Sequence, residues 1–240
     1  MDQLAADKLT FYLLKNVNKA IREFDLIADG DRIAVAVSGG KDSRSLLHLL
    51  SARQRTVPEK YQLTALHVEA ETAGYPSLRP FLEPWFRELR VDYAFVPLDL
   101  RSDEAKPLDC FRCSWNRRKA LFLKAHALGC NKLAMGHHAD DALHTALLNL
   151  FYSGRLETMA PRLEFFDGKI VLIRPLIYTE ERQLERLARA LSFPPLTEDC
   201  PLKNTSRRAW IKEWLHQSGG SDYRRIRRNV WRATRHRNPP

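Results

Sequence analysis

Apolar side chains recur at Leu9, Leu13, Val17, Ile21 and Phe24, with Tyr12 beside them, which is the spacing of one helix face and predicts a helix over Leu4–Phe24. Asp29-Gly30-Asp31 closes it. The pattern then changes to the unbroken apolar run Ile33-Ala34-Val35-Ala36-Val37, a buried strand over about Arg32–Val37. Leu46-Leu47-His48-Leu49-Leu50 returns to helical spacing, up to about Arg53. Tyr61–Val68 reads as a second strand, Val91–Pro97 as a third and Lys132–Met135 as a short fourth. Helices are expected over Ser77–Leu89, Cys113–Leu128 and Ala139–Phe151. Pro80 and Pro84 predict an early break or kink in the first of these, and Asp140 is placed to cap the last. The stretch up to about Asp109 has no clear pattern.

This alternation of strand and helix predicts an α/β protein with a parallel sheet covered on both faces, whose ligand lies at the carboxyl ends of the strands. Further on, Arg162–Phe166 and Ile170–Ile173 flank Asp167-Gly168-Lys169, a hairpin signal. Thr179 is a candidate N-cap, with Glu180 and Glu181 in the first turn of a helix to about Leu191, which Phe193-Pro194-Pro195 ends. The division expected is a helical segment over 1–30, a nucleotide-binding catalytic domain over 31–178 and a basic helical region over 179–240. No internal repeat is present.

Charge changes the picture at the C-terminal end. The 240 residues carry a net charge of +10, and ten basic side chains after residue 206 face only Glu213 and Asp222. The tail thus holds +8 and the rest of the chain +2. Trp210, Trp214, Tyr223 and Trp231 are interleaved with these cations, a composition suited to RNA, where guanidinium groups meet phosphates and rings stack on unpaired bases. The plainer reading is a basic helix held by acidic patches of the same protein. No apolar run approaches the ~20 residues of a membrane span, and the N-terminus lacks the pattern of a secretory signal, so the expected location is the cytoplasm. Four cysteines in such a chain point to metal binding or chemistry rather than a disulfide framework.

The candidate chemistry begins at Ser38-Gly39-Gly40-Lys41-Asp42-Ser43, between the first strand and its helix. Glycines allow close backbone approach, a helix start offers unpaired N–H groups, and Lys41 adds a full charge, so the turn suits a phosphate. It is not a Walker loop, since Asp42 follows Lys41, nor a dinucleotide turn, since the two glycines are adjacent. Gly136-His137-His138-Ala139-Asp140-Asp141 follows the fourth strand, and its two carboxylates suit Mg²⁺ bridging nucleotide oxygens. Cys110-Phe111-Arg112-Cys113 and the distant Cys200 could bind a structural zinc, form a thiol/disulfide set, or hold a [4Fe–4S] cluster with one iron open. Spacing does not separate these readings. Cys130 reads as a packed structural thiol.

The Ser38–Ser43 loop resembles the SGGxDS loop of the PP-loop ATP pyrophosphatases, which cleave ATP between its α- and β-phosphates and adenylate a substrate. Asp109–Arg118, Gly136–Asp141, Leu148–Gly154, Met159–Leu163 and Ile173–Leu176 run in the order seen in the tRNA 2-thiocytidine synthetases. The resemblance covers roughly residues 10–216. It implies an adenine nucleotide alpha hydrolase-like, Rossmann-like domain that thiolates tRNA with ATP, Mg²⁺ and a [4Fe–4S] cluster on Cys110, Cys113 and Cys200. Lys203 stands where the family often has a second cysteine, which supports three-thiolate ligation. Ser153-Gly154 replaces a usual glycine pair.

On this resemblance ATP phosphates lie on Ser38, Gly39, Gly40, Lys41, Asp42 and Ser43, near Gly136 and Asp141. The adenine lies by Ala36, Val37 and His67. Lys41, with Mg²⁺ held by Asp42 or by Asp140 and Asp141, neutralises the leaving pyrophosphate, Arg117 stabilises the α-phosphate, and Cys113 serves sulfur transfer. Expected partners are tRNA, a cysteine desulfurase or other sulfide donor, and a second copy of the chain through the amphipathic N-terminal helix. The alternatives are a ligase with an amine nucleophile, like a tRNA lysidine synthetase, and a non-catalytic zinc-holding tRNA-binding or sulfur-relay protein.

Overall fold

The computed structural model describes residues 3–69, 71, 76–98, 110–194 and 206–235. Among these, six strands form one sheet: β1 (Arg32–Ala36), β2 (Gln62–Glu69), β3 (Asp92–Pro97), β4 (Lys132–Ala134), β5 (Arg162–Phe165) and β6 (Ile170–Ile173). Their spatial order is β3-β2-β1-β4-β6-β5. All neighbours are parallel except the hairpin β5–β6, which adds an antiparallel edge. The helices are α1 (Gln3–Phe24), α2 (Lys41–Gln54), α3 (Arg79–Leu89), α4 (Cys110–Ala127), α5 (Ala139–Ser153), α6 (Glu181–Ala190), α7 (Arg207–Gly219) and α8 (Tyr223–Arg235).

Alternation along β1 explains the layering. Ile33, Val35 and Val37 point into one core with α1, α2, α3 and α6, whereas Ala34 points into a second with Leu121, Phe122 and Ala125 of α4. A central strand buried on both faces must read as a continuous apolar run, as this one does. Leu13, Val17, Ala20 and Ile21 of α1 belong to the first core, so the N-terminal helix is packed into the same body as the sheet. A third cluster joins Leu143 and Leu147 of α5 to Ile211 and Leu215 of α7, with Tyr223, Ile226 and Val230 of α8 against it.

Two local expectations fail. Pro84 lies inside α3 without breaking it. Pro80 occupies the first turn, where a missing N–H costs nothing, and burial of Leu82 and Phe86 on either side of Pro84 holds the helix through it. Thr179 is not the N-cap of α6; Glu180 is, in a capping box with Gln183, while Thr179 is fully buried and its carbonyl accepts from Ala139 N–H at 3.0 Å. Among the described residues no helix is long and apolar enough to cross a membrane.

Candidate active site

In a parallel sheet each helix that follows a strand starts at the carboxyl edge. α2 follows β1, α4 follows β3 and α5 follows β4, so the three motifs of the sequence meet at one edge. The loop before α2 is shaped by Gly39, whose φ of 90° is open to glycine alone. Ser43 Oγ accepts from Ser38 N–H at 3.1 Å, lies 3.2 Å from Ser38 Oγ and donates to the Gly40 carbonyl at 3.0 Å. These bonds hold the turn closed while Gly40, the N-cap of α2, supplies no side chain to the first helical N–H groups. Uncapped N–H groups at the positive end of a helix are donors available to an anion.

Gly136 fixes how the second motif meets the first. A Cβ on Gly136 would lie 3.0 Å from both Cα and N of Ser43 and 3.1 Å from the carbonyl carbon of Asp42. The β4–α5 loop therefore presses on the backbone of the phosphate loop itself. His138, not Asp140, caps α5: its Nδ1 accepts from Asp141 N–H, and its own N–H donates to Asp141 Oδ2 at 3.1 Å. Asp140 is displaced from that role because it is buried and bonded elsewhere. Its Oδ2 accepts from Glu181 N–H at 2.6 Å, and its Oδ1 from Arg227 at 3.0 Å. Burial alone would raise the Asp140 pKa, but the Glu181 N–H and Arg227 outweigh it and hold the carboxyl below its ordinary value.

Lys41 Nζ bridges Asp42 Oδ2 at 3.2 Å and Glu181 Oε1 at 3.0 Å, and Lys212 shares that Glu181 oxygen at 2.9 Å. Burial works against the Lys41 ammonium, yet the two carboxylates raise its pKa above the ordinary value. Glu181 is driven down to about 2; burial opposes this, and Lys212 and Lys41 override it. Asp42 behaves oppositely: burial raises its pKa despite His138 and Lys41, and its Oδ1 is buried with no hydrogen-bond partner among the described residues. Asp141 Oδ1 pairs with Arg208 at 3.2 Å. Of the three carboxylates expected to face Mg²⁺, Asp42 thus has one buried oxygen without a hydrogen bond, whereas both oxygens of Asp140 and of Asp141 are engaged. Among the described residues no group of three or more His, Cys, Asp and Glu side chains could hold a metal ion by itself.

The remaining expected residues are distributed around this edge. Ala36 ends β1, the buried Val37 follows it, and Val37 N–H donates to the Leu66 carbonyl at 2.8 Å. His67 is buried, with Nδ1 2.8 Å from the Val37 carbonyl and its ring edge-on to Phe95. Cys113 is a half-buried free thiol on the first turns of α4, and Arg117 is one turn beyond it. The Cys110 side chain and Cys200 lie outside the described residues. Cys130 is 5% exposed in the second core, where burial raises its thiol pKa, as expected for a packed thiol.

The sequence assigned no place in the site to Arg174, a residue of a family motif, or to Lys212 and Arg227 of the basic tail. Arg174 donates to His137 Nδ1 at 3.2 Å and to the Ala160 carbonyl; burial and then Arg118 lower its pKa to about 10. Arg227 joins Asp140 to Glu180, at 3.0 and 2.6 Å. With Arg208, Lys212, Arg224, Arg225 and Arg235, six of the ten tail cations are ion-paired to acids of this chain. The plainer reading of the basic tail holds for these six. Arg227→Ala is expected to destabilise the fold by about 1–3 kcal/mol, since it leaves Oδ1 of buried Asp140 without its partner, whereas Glu180 keeps Arg182 and Arg224. The exposed Arg228→Ala should cost under about 0.5 kcal/mol. Chemical denaturation of both variants tests the contrast, and equal stabilities would refute it.

His48, His137 and His144 are each pushed down to about 4, in each case first by burial. The unfolded chain titrates these groups near 6.5 and so binds more protons between pH 6.5 and 4. Stability must fall as pH drops through that window. Glu181 adds a further loss between its ordinary 4.5 and about 2. The urea midpoint should decline steadily below pH 6.5, and a midpoint flat to pH 4 would contradict the buried neutral imidazoles.

A strained glycine turn and a second motif pressed against it, at the carboxyl edge of a mostly parallel sheet, define a PP-loop nucleotide-binding protein of the adenine nucleotide alpha hydrolase-like class. No family model matches the chain. It is 41% identical over 207 residues to the tRNA-cytidine(32) 2-sulfurtransferase of Geobacter sulfurreducens, covering 83% of this chain and 79% of that one. It is 38% identical over 221 residues to the protein of the same name from Aeromonas salmonicida, covering 89% and 72%. The chain belongs to the tRNA-cytidine(32) 2-sulfurtransferase family. In fold it is similar to the U34-tRNA thiolase NcsA of Methanococcus maripaludis, solved with its [4Fe–4S] cluster (TM-score 0.70, 22% identity, 92% of this chain and 78% of that one). It is also similar to an NAD⁺ synthetase of Burkholderia pseudomallei (TM-score 0.50, 18% identity, 98% and 91%).

Proposed function

We infer that the protein is an ATP-dependent tRNA sulfurtransferase that replaces the C2 oxygen of a cytidine by sulfur. The observation that carries this reading is the contact of Gly136 with Ser43 and Asp42, which makes one anion site of two motifs, in a chain of the 2-sulfurtransferase family. Residues 31–178 form the ATP-binding catalytic unit, flanked by the helical segment 1–30 and the basic region 179–240. ATP phosphates sit on Ser38–Ser43 and the adenine beside Ala36, Val37 and His67. Lys41 moves its charge from Glu181 toward the phosphates, while Lys212 keeps Glu181 paired. Mg²⁺ with the nucleotide is met by Asp42, whose partnerless oxygen suits a hard cation.

The cytidine oxygen attacks the α-phosphorus, pyrophosphate leaves, and the base is adenylated. Lys41 and Arg117 carry the charge that builds on the phosphates. A sulfide nucleophile then attacks C2, and AMP leaves with the original oxygen, so no oxidant is needed. Three thiolates, Cys110, Cys113 and Cys200, fit a [4Fe–4S] cluster with one iron not held by protein. When bound, the cluster supplies that open iron as a holding point for sulfur. A sulfide donor replenishes it directly, or a cysteine desulfurase does so together with a two-electron thiol reductant that releases its persulfide sulfur as sulfide. A homodimer would bury the exposed Leu4, Phe11 and Tyr12 of α1.

The test is anaerobic incubation of the purified, iron-loaded protein with tRNA, ATP, Mg²⁺ and sulfide, followed by nucleoside mass spectrometry. The expected products are 2-thiocytidine, AMP and pyrophosphate. AMP formation that depends on an amino acid instead would replace this reading with an amine ligase. Retained tRNA binding without ATP turnover would replace it with a binding protein.

A further inference from the structure

The outer face of α4 and the β5–β6 hairpin enclose an open groove of about 590 Å³ that plays no part in the nucleotide site. Phe122, packed on Phe165 at 4.8 Å between ring centres, forms its floor with Ile170. Its walls are unusually exposed apolar groups: Trp115 is 52% exposed, Leu123 61% and Phe166 62%. Its rim is cationic, from Arg118, Lys119, His126 and Lys169, and among the described residues none that lines it is acidic. Lys119 Nζ lies 5.3 Å from the centre of the Trp115 ring.

Helical spacing puts Trp115, Arg118, Lys119 and Phe122 on one stripe of α4, whereas Cys113 and Arg117 share another. The groove therefore begins within the first turns of the helix that carries Cys113. It is also linked to the β4–α5 loop: the charge of Arg118 acts on Arg174, and Arg174 donates to His137 Nδ1.

A second copy of the chain fits this surface poorly. Two-fold pairing would set the groove against itself, bringing like cations together without an acid to separate them. The complementary partner is a polyanion with flat, apolar faces of its own. Unpaired nucleotides have that chemistry, with bases that stack on aromatic rings and phosphates that meet a cationic rim. A target base must also leave its stack to reach a buried site, which leaves its neighbours needing a support.

We propose that the groove between α4 and the β5–β6 hairpin binds unpaired nucleotides of the tRNA substrate that flank the target base, with bases stacked on Trp115 and Phe166 and phosphates on Lys119 and Lys169. This rests on the reading of the protein as a tRNA-modifying enzyme. It assigns base contact to α4 and the hairpin rather than to the basic tail.

The test compares the full-length protein with Trp115→Ala, Phe166→Ala and the pair Lys119→Glu/Lys169→Glu. Each is titrated at fixed salt with a 17-nucleotide anticodon stem–loop RNA, with the same stem closed as a duplex, and with ATP; thiolation of whole tRNA is assayed in parallel. Each aromatic variant should weaken stem–loop binding about tenfold or more, with duplex and ATP binding unchanged. The charge-reversal pair should weaken stem–loop binding and flatten its salt dependence. Because the aromatic side chains are exposed, a thermal melt like that of the parent protein is expected.

Stem–loop binding at the parent level in all three variants would overturn the proposal while leaving sulfur transfer standing. Loss of loop binding in a protein that forms no thiolated nucleoside would uphold the groove and overturn sulfur transfer. Sedimentation showing a dimer that Trp115→Ala dissociates, with RNA binding unaffected, would make the groove a self-association face and sink the proposal.

Discussion

Gly136→Ala is expected to lower ATP turnover, by up to about 100-fold, and to lower thermal stability as well. The added methyl would stand 3.0 Å from Ser43 N and Cα and 3.1 Å from the Asp42 carbonyl carbon, tighter than nearly all contacts a Cβ makes. These are backbone atoms at the start of α2, held by the Ser38–Ser43–Gly40 hydrogen bonds, so no side chain can swing aside. One loop must move by several tenths of an ångström, and displacements approaching 1 Å at a reacting centre cost about 100-fold. Gly40→Ala provides the contrast. Gly40 has φ −67°, which any residue adopts, and its Cβ would meet only Ser38 Oγ at an ordinary 3.5 Å. That variant should keep the melting temperature and lose activity only as far as a methyl obstructs the phosphates. Pyrophosphate release and thermal melts of the two variants, side by side, measure the difference. A Gly136→Ala enzyme with parent activity would remove the contact from the mechanism.

Cys113→Ala is expected to abolish formation of the thiolated nucleoside while ATP binding and stability stay close to those of the parent protein. The side chain is half-buried at a helix start, so its loss leaves little cavity. Its proposed role as one of three thiolates has no substitute, since Lys203 stands where a spare cysteine could have served. Cys130→Ala should behave in reverse, because Cys130 is 5% exposed among apolar side chains of the second core. Truncating it costs packing, on the order of 1 kcal/mol, and leaves thiolation intact. Nucleoside mass spectrometry, iron content and a melt on each variant separate the two. Normal thiolation by Cys113→Ala would dismiss the thiolate role.

The C-terminal region shows where charge counting stops being informative. Ten cations against two acids reads locally as a free basic surface. Folding brings in acids from elsewhere: Arg227 reaches Asp140, Lys212 reaches Glu181, and Arg235 reaches Glu23. Arg208 and Arg227 thus tie α7 and α8 to the start of α5, and Lys212 and Arg224 tie them to the start of α6. Conversely, Lys119 and Lys169 carried no binding role in the sequence, Lys169 only a turn, because they lie 50 residues apart and make one rim only when α4 and the hairpin are side by side.

What the sequence by itself determined is local in origin. The strand periods, the hairpin at Asp167-Gly168, the phosphate turn at Ser38–Ser43 and the family motifs are set by neighbours a few residues apart. Periodicity and turn chemistry express those directly. Even there the caps were misjudged: several residues near each helix start can accept from the same N–H groups, and His138 caps α5 while Asp140 is bonded to Glu181 N–H and Arg227, whereas Glu180 caps α6 and the Thr179 hydroxyl is buried away from the helix start. The tertiary structure alone decided that a Cβ at Gly136 would crowd the phosphate loop, that Asp42 rather than Asp140 has an oxygen without a hydrogen bond, and that an aromatic groove with a cationic rim lies beside the helix of Cys113. Each depends on atoms brought within about 3 to 6 Å from distant parts of the chain, where packing rather than local propensity selects the neighbour.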